Sequence, residues 1–394
     1  MIYILIFLFL LLSSLIFDFR KVKIKDDGFY NLWLLILILF SGLRWKVGGD
    51  TINYHYGFER TPPLEGLAKY VTRSSYTWEP FFTLSLSIIK TFTKEFWVFQ
   101  LIHAIFINTV IFRFIKKNCE YKFFALVLYF FIYFVYFNME ILRESIAVAI
   151  FLIMYPLLEK KNFKKYYLLN LIAILFHYSS IILLVFPLLH KIKFNTKSVI
   201  LLISIVSLLS VIFLFVPEAI QAFMFTDALS EKFTVYSGIS ANINGMILNT
   251  LLFIIFPIYI IKLNKKNEEQ KFENLMFAYF LFATVFVLIS GFGRFINYFG
   301  IFMIVYFTNT LSNLHKIYRL NLLKFGFVAI SLSVIFYYKA SYYLISYDHL
   351  MKGTHKYNMY YPYYSIFDPV EDVDREKLYI HSMWESFNLE ESND

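Results

Sequence analysis

Charged residues and cysteine are both scarce in this chain of 394 residues. Charged side chains account for 16% of it, whereas an average soluble domain has about 25%. The single cysteine, Cys119, excludes an internal disulfide and a cysteine-based zinc cluster. The HExxH, Walker and GxSxG patterns are also absent from the sequence, which removes the usual signatures of zinc proteases, nucleotide hydrolases and serine hydrolases.

Apolar residues dominate the composition instead. They make up 59% of the chain, and they recur in runs of about 15 to 20 residues, close to the length that crosses a bilayer. The net charge of +9 comes largely from short lysine clusters between these runs, which is typical of cytoplasmic loops rather than of a nucleic-acid site. The sequence therefore predicts an all-α, polytopic integral membrane protein.

The lysine clusters also predict a path through the membrane. Placing all of them in the cytoplasm gives about twelve transmembrane helices, with both ends of the chain outside. Residues 2–17 are expected to be a retained first span, because basic residues follow them and no cleavage site does. Residues 79–93 are short, and residues 166–189 form either one span or two half-spans meeting near His177. The path favours a re-entrant segment at residues 79–93 and a hairpin at residues 166–189.

This path divides the chain at residue 345. Residues 1–345 form a transmembrane domain, and residues 346–394 form a polar, acidic tail outside the cytoplasm. The longest outer loops are residues 44–95 and 217–244. The first of them carries several basic residues, so it is either a cationic pocket for an anionic lipid headgroup or a loop too long for charge to matter.

Two arginines lie beside apolar runs farther along the chain. A charge at membrane depth costs about 2.5 to 3.5 kcal/mol on insertion scales, so it usually has a function. Arg143 either pairs with Glu140, three residues earlier on the same helical face, or contacts a ligand. Arg294 has no acidic residue near it in sequence, which favours a functional role.

Two histidines, His103 and His177, are centred in apolar runs. A hydrogen-bonded core position is the ordinary interpretation of both. A helix break beside His177 would favour a role in proton transfer, which the ordinary pKa of histidine, about 6.5, suits near neutral pH. The one D-x-D pattern, Asp372 to Asp374, lies in the acidic tail and is expected to be solvated, so no metal site is predicted.

Several short motifs resemble those of the EpsG-type branch of the Wzy-like polysaccharide polymerases. They occur in the order of that family and cover most of the chain. The family's arginine-glutamine element has Glu144 here, which is a small departure. The matching residues are Arg44, Val47, Gly48, Asp50 and Tyr54, then Arg143, Glu144 and Ala147, then Phe176, His177 and Ser179, then Arg294, Tyr298 and Phe299, and finally PYYSIF at 362–367.

The resemblance implies an enzyme of the bacterial inner membrane whose active site faces the periplasm or the cell exterior. Its donor and acceptor would both be oligosaccharide repeat units on undecaprenyl diphosphate, joined into O-antigen, capsule or exopolysaccharide with release of the lipid diphosphate. Membrane lipid surrounds it, a chain-length regulator and a flippase are candidate partners, and nucleic acid is not a partner.

The resemblance also implies roles for particular residues. Arginines are expected to replace a metal at the leaving diphosphate, because a permanent charge with bidentate geometry suits phosphate oxygens. The candidates for this role are Arg44, Arg143 and Arg294. His177 is the first choice for the base at the acceptor hydroxyl, and Asp50 is the second. The candidate substrate contacts are Tyr54, Tyr298 and Glu140. No metal and no cofactor is expected.

Two other functions stay open on the sequence. An O-antigen ligase-like glycan transferase shares this chemistry and differs only in its acceptor. A lipid-linked oligosaccharide flippase would be a transporter rather than an enzyme. Transporters usually show repeated halves, and the halves of this chain do not align.

Overall fold

In a computed structural model of the protein, the regular structure of the described residues is helical, apart from two isolated bridges. The predicted all-α fold is thus confirmed for them. The chain divides into two compact units, Met1–Ile181 with Ser333–Asp394 and Ile182–Leu332. The described residues are 2–20, 26–73, 78–189, 200–201, 204–205, 208, 243–264, 272–288, 293–317, 359–373 and 375–377.

The described part of the first unit contains ten α-helices. A π turn, Leu15–Phe19, follows the first helix, and another, Phe130–Phe134, joins the seventh to the eighth. Helix α2 packs along α6, and α10 packs along α9. The helices are α1 (Ile2–Ser14), α2 (Asp26–Gly42), α3 (Thr51–Arg60), α4 (Leu64–Arg73), α5 (Pro80–Phe92), α6 (Phe96–Asn118), α7 (Lys122–Tyr129), α8 (Val135–Met139), α9 (Leu142–Glu159) and α10 (Phe163–Phe176).

The second unit begins within a 3₁₀ segment, Tyr178–Val185. Its helices α14 and α15 pack together, with the ring of Phe299 lying 5.8 Å from that of Phe282 and 6.2 Å from that of Tyr279. A π turn, Leu251–Ile255, joins α12 to α13. The described helices are α11 (Phe186–Leu189), α12 (Ile243–Thr250), α13 (Phe256–Asn264), α14 (Glu273–Leu288) and α15 (Gly293–Ile317).

Five helical stretches in the described part of the chain are long and apolar enough to cross a membrane. They are Ile2–Phe19, Phe96–Asn118, Lys122–Met139, Met246–Leu263 and Gly293–His315. The protein is therefore a membrane protein, while the count of about twelve spans stays a prediction. The spans predicted to end near residues 216 and 345, and most of the loop 217–244, lie outside the described residues.

Residues 79–93 and 166–189 did not fit simple spans in the sequence. The first forms a short helix, and the second is broken. Helix α5 has 13 residues, so it is about 20 Å long and shorter than a hydrocarbon core of about 30 Å. Helix α10 ends at Phe176, and His177 after it is extended, with φ −158° and ψ 122°. The 3₁₀ segment follows. The break predicted near His177 is confirmed.

A buried polar network joins four helices of the first unit. The amide of Asn108 donates to Asn138 Oδ1 at 2.8 Å, and the hydroxyl of Tyr129 donates to Asn108 Oδ1 at 2.9 Å. The Ser41 hydroxyl reaches Asn138 Oδ1 at 3.4 Å. Four helices, α2, α6, α7 and α8, are thereby joined through satisfied polar groups, which favours one defined packing over alternatives.

Residues 359–373 and 375–377, here called the C-terminal segment, pack against the loop that follows α2. Residues 43–50, the motif loop, pair with the segment in antiparallel fashion. The bonds are Trp45 N to Tyr364 O at 2.9 Å, Ile366 N to Leu43 O at 3.0 Å and Gly48 N to Met359 O at 2.8 Å. Backbone pairing of this kind joins main-chain groups that every residue carries, so the side chains of the segment gave no sign of it.

The expectation that the D-x-D pattern is solvated is wrong for Asp372. This residue is buried, and its Oδ1 accepts from the backbone N–H of Arg375 at 3.1 Å. The carboxylate is turned inward to cap the last described turn of the C-terminal segment. The division of the chain at residue 345 stays a prediction, although the C-terminal segment belongs to the same unit as α1 to α10.

Candidate active site

Arg44 lies inside the motif loop, where its guanidinium is completely buried. Its Nε donates to the carbonyl of Val47 at 2.9 Å, and its Nη1 donates to the carbonyl of Ser41. Burial lowers the pKa of Arg44 to about 10. The loop closes around this side chain, so Arg44 stabilises the conformation that follows α2.

The motif loop is also locked to the end of α8. Gly48 has φ +124°, a left-handed conformation, and a Cβ there would lie 2.2 Å from the carbonyl oxygen of Met139. Only glycine fits this position. The Thr51 hydroxyl lies 3.0 Å from the same carbonyl. This locking explains the Val-Gly pair of the first motif and leaves Asp50 exposed at the N-cap of α3.

Arg143, in the first turn of α9, forms an ion pair with Glu79. Its Nη1 lies 2.6 Å from Glu79 Oε2, and the side chains are 23% and 6% exposed, respectively. The guanidinium also lies over two rings, 6.0 Å from the centroid of Tyr54 and 5.8 Å from that of Trp78. The partly exposed guanidinium of Arg143 is therefore held by a buried carboxylate and by two aromatic rings.

Of the two alternatives for Arg143, the local pair with Glu140 is wrong. Glu140 ends α8, with φ −127° and ψ −61°, and α9 begins only after Ile141. The two residues are therefore not on one continuous helix, so the i, i+3 spacing does not bring them together. The Glu140 carboxylate instead accepts from the hydroxyl of Tyr360, 2.6 Å away in the C-terminal segment.

The Nε of the Arg143 guanidinium is buried, although the side chain as a whole is partly exposed. Within the described part of the chain its Nε makes no hydrogen bond. The nearby Tyr54 is neutral at physiological pH, because burial raises the pKa of Tyr54 to about 12 although the charge of Arg143 opposes this. Tyr54 thus adds no competing negative charge, and Arg143 is suited to bind an anionic oxygen.

His177 has a defined tautomer. The backbone N–H of Ser179 points to His177 Nδ1 at 3.2 Å, and the Ser179 hydroxyl lies 2.8 Å from the same atom. Because a backbone N–H only donates, Nδ1 is an acceptor and the proton of the neutral ring is on Nε2. Ser179 of the Phe-His-x-Ser motif therefore fixes His177 as an N–H donor. Its predicted role as the base is untested, but this arrangement does not favour it.

The break after α10 lies beside the first turn of α5. The ring of Phe176 packs on that of Phe81 at 5.7 Å, and Phe81 is two residues after Glu79. The ion pair of Arg143 and the end of α10 are therefore neighbours. The predicted residues gathered at this end of the first unit are Arg44, Asp50, Tyr54, Glu140, Arg143 and His177.

Arg294 and Tyr298 belong to the second unit. Arg294 is exposed in the first turn of α15, and Tyr298 is completely buried. Burial of Tyr298 leaves no ring face for stacking against a sugar in this conformation. The predicted grouping of Arg294 with the other arginines stays a prediction.

The sequence reasoning missed Glu79, and it assigned no role to the C-terminal segment although PYYSIF at 362–367 matches a family motif. Glu79 stands alone between Trp78 and Pro80, at the start of an apolar helix, and such an isolated acid could have been chosen as the partner of Arg143. The segment binds Lys46, whose Nζ lies 2.5 Å from Glu371 and 2.7 Å from Glu376. Burial opposes the charge of Lys46, but the two carboxylates together raise its pKa.

Within the described ranges, no three His, Cys, Asp or Glu side chains are arranged to hold a metal ion. Metal independence itself stays a prediction, since it is a property of the reaction.

The comparisons with known proteins agree with the motifs. The model of the EpsG family matches residues 28–365, a range that contains every candidate site residue. No curated protein and no solved structure matches the chain. The family model covers most of the chain, and the chain therefore belongs to the EpsG family, which is of the polysaccharide-polymerase type.

Proposed function

We propose that this protein polymerises oligosaccharide repeat units carried on undecaprenyl diphosphate, at the outer face of the bacterial inner membrane. The observation that carries the proposal is Arg143. It is a half-exposed guanidinium in an apolar protein, held by the buried carboxylate of Glu79 and the rings of Tyr54 and Trp78. A permanent cation held in this way, with part of its side chain still exposed, suits a phosphate oxygen.

In this reaction the bond from the anomeric carbon of the growing chain to its diphosphate breaks. The oxygen of an acceptor hydroxyl bonds to that carbon, the hydroxyl proton passes to a base, and the lipid diphosphate leaves. Negative charge develops on the leaving oxygen, so the enzyme must present fixed donors there. Arg143 supplies them, and its pairing with Glu79 sets the direction of the guanidinium before the substrate arrives.

His177 is a second donor for the leaving group. Ser179 holds the proton of the ring on Nε2, so the imidazole presents an N–H without needing to be charged. The base is then Asp50, which is exposed at the start of α3 and lies on the loop that contacts Glu140. The charges of Asp50 and Arg143 both act on Tyr54, so the proposed base lies in the neighbourhood of the proposed donor.

The other predicted residues take supporting roles in this proposal. Arg44 holds the motif loop, and Tyr54 orients Arg143 rather than stacking on a sugar. Arg294 stays a candidate second cation for the diphosphate, because it is exposed at the N-terminus of a helix, where anions are favoured.

The test is a reaction with a single class of substrate. Purified protein in proteoliposomes is given only lipid-linked repeat units, and product lengths are read on a gel. A polymerase produces a ladder of longer lipid-linked glycans. A ligase leaves the units unextended until a lipid-core acceptor is added, and a flippase moves them across the bilayer without changing their length. Either of these two results overturns the proposal.

A further inference from the structure

The C-terminal segment brings one side chain into the candidate active site. The hydroxyl of Tyr360 donates to Glu140 Oε2 at 2.6 Å. Tyr360 is buried, with 6% of its surface exposed, whereas Glu140 is half-buried. A hydrogen bond to a carboxylate is among the stronger ones in proteins, and it fixes the direction of the acid.

The Glu140 carboxylate is enclosed between the motif loop and the C-terminal segment. A Cβ on Gly49 would lie 3.0 Å from Glu140 Cγ and 3.1 Å from the hydroxyl of Tyr360. The next residue along the loop is Asp50, which is exposed. Two carboxylates thus lie at the motif loop, whereas Arg143 is paired with Glu79 at the start of α5. Of the cations on the motif loop, Arg44 is buried and Lys46 is paired with Glu371 and Glu376.

This separation of charge distinguishes two classes of ligand group. A diphosphate is repelled by Asp50 and Glu140 and attracted by Arg143. A neutral sugar hydroxyl has the opposite preference, because a carboxylate is a strong hydrogen-bond acceptor for it. The acidic side of the site is suited to sugar hydroxyls and not to phosphate.

We propose that Asp50 and Glu140 form the subsite for the hydroxyls of the acceptor sugar, and that Tyr360 is the positioning residue that sets the direction of Glu140. The inference rests on the proposed polymerase function and adds the place of the acceptor to it. Tyr360 acts through Glu140 and does not itself contact the sugar.

The C-terminal segment holds Tyr360 in place through contacts that do not involve its hydroxyl. The main chain of the segment pairs with the motif loop, and Lys46 binds two of its carboxylates. The guanidinium of Arg375 is buried and donates to the carbonyl of Lys46 at 3.2 Å. Replacement of Tyr360 by phenylalanine therefore removes the hydrogen bond to Glu140 and is expected to leave the segment docked.

Tyr363 provides a matched control. It lies in the same segment, and its hydroxyl donates over the same distance, 2.6 Å, but to the backbone carbonyl of Phe40. The variants Tyr360→Phe and Tyr363→Phe thus lose equivalent groups, one at the carboxylate and one away from it.

The experiment measures elongation by the full-length protein at saturating donor while the concentration of the lipid-linked acceptor is varied. Tyr360→Phe is expected to lower kcat/KM for the acceptor about ten- to a hundredfold, as expected for loss of a bond to a charged group. Tyr363→Phe is expected to change it less than about twofold. Binding of the lipid diphosphate is expected to stay within about twofold of wild type in both variants.

A double-mutant cycle separates positioning from general destabilisation. In a Glu140→Gln background, the further change Tyr360→Phe is expected to cost less than about threefold, because the two residues act through one contact. Equal kinetics of Tyr360→Phe, Tyr363→Phe and wild type would overturn the inference, as would additive losses in the cycle. If Tyr360→Phe does not fold, Glu140→Gln alone decides, since an unchanged acceptor KM in that variant also overturns it. Failure of wild-type protein to elongate anything would instead overturn the proposed function.

Discussion

Two arginines of this protein look alike in the sequence and have different surroundings in the structure. Arg44 is enclosed by the motif loop, and its partners include the backbone carbonyls of Ser41 and Val47. Arg143 is half-exposed, and its partner is the side chain of Glu79. Bonds to backbone carbonyls hold Arg44 inside the fold whether or not a ligand binds. The carboxylate and the aromatic rings around Arg143 instead hold its guanidinium at the surface. Motif membership alone therefore does not separate a folding role from a binding role.

The comparison predicts the largest effect for Arg143→Lys. The substitution keeps the charge but loses the planar set of donors, so the rate of elongation is expected to fall about a hundredfold. The amount and melting temperature of folded protein are expected to stay close to those of wild type. The rate is measured from product ladders at matched protein levels.

Arg113→Lys is the matched control, because Arg113 is exposed on α6 and lies in a lysine-rich region near the end of that helix. It is expected to elongate at the wild-type rate. Wild-type elongation by Arg143→Lys as well would make Arg143 a structural residue and remove the contrast with Arg44.

A smaller effect is expected at His177, where the chemistry of the replacement matters. His177→Gln keeps an N–H donor and is expected to lose about tenfold in kcat, whereas His177→Ala is expected to lose about a hundredfold. The pH dependence of kcat is expected to have the same shape in His177→Gln as in wild type, because Asp50 carries the proton in this account.

Loss of all elongation in both His177 variants, or loss of the pH-dependent limb of kcat in a His177 variant that keeps some activity, would return the base role to His177. Asp50→Asn discriminates further. It is expected to abolish elongation while lipid diphosphate still binds.

The smallest effect on turnover is expected for Arg44→Lys. A lysine replaces several donors of the guanidinium with one ammonium, so unfolding is expected to become easier by about 2 kcal/mol. The measurement is the melting temperature of the detergent-solubilised protein, with turnover expressed per folded molecule. That turnover is expected to stay within about threefold of wild type. An unchanged melting temperature with lost turnover would place Arg44 at the diphosphate.

The features that sequence predicted well are those with a local physical cause. Long apolar runs gave the helical membrane class, because backbone groups in lipid must bond within their own segment. The break at His177 was one of two alternatives, because residues 166–189 are long enough for either one span or two half-spans. Gly48 of the first motif also has a local cause, since its left-handed φ admits no side chain.

The features that sequence did not give depend on contacts between distant residues. Glu79 is 64 positions from Arg143, and no periodicity links the two. Tyr360 is 220 positions from Glu140, in a segment whose polar composition predicted solvation. The wrong pairing of Arg143 with Glu140 has a similar origin, because the helix break between α8 and α9 has no glycine or proline to mark it.

The central claim is that fixed side-chain donors, with Arg143 foremost, meet the leaving diphosphate in the role that a metal ion has in many phosphate-releasing enzymes. It is tested most directly by elongation of purified lipid-linked repeat units by the wild-type protein after exhaustive treatment with EDTA. The account predicts that the product ladder forms at the same rate with and without EDTA, and that added Mg²⁺ or Mn²⁺ does not increase it. Loss of the ladder in EDTA and its recovery with either ion would contradict the claim and assign the charge of the leaving group to a metal.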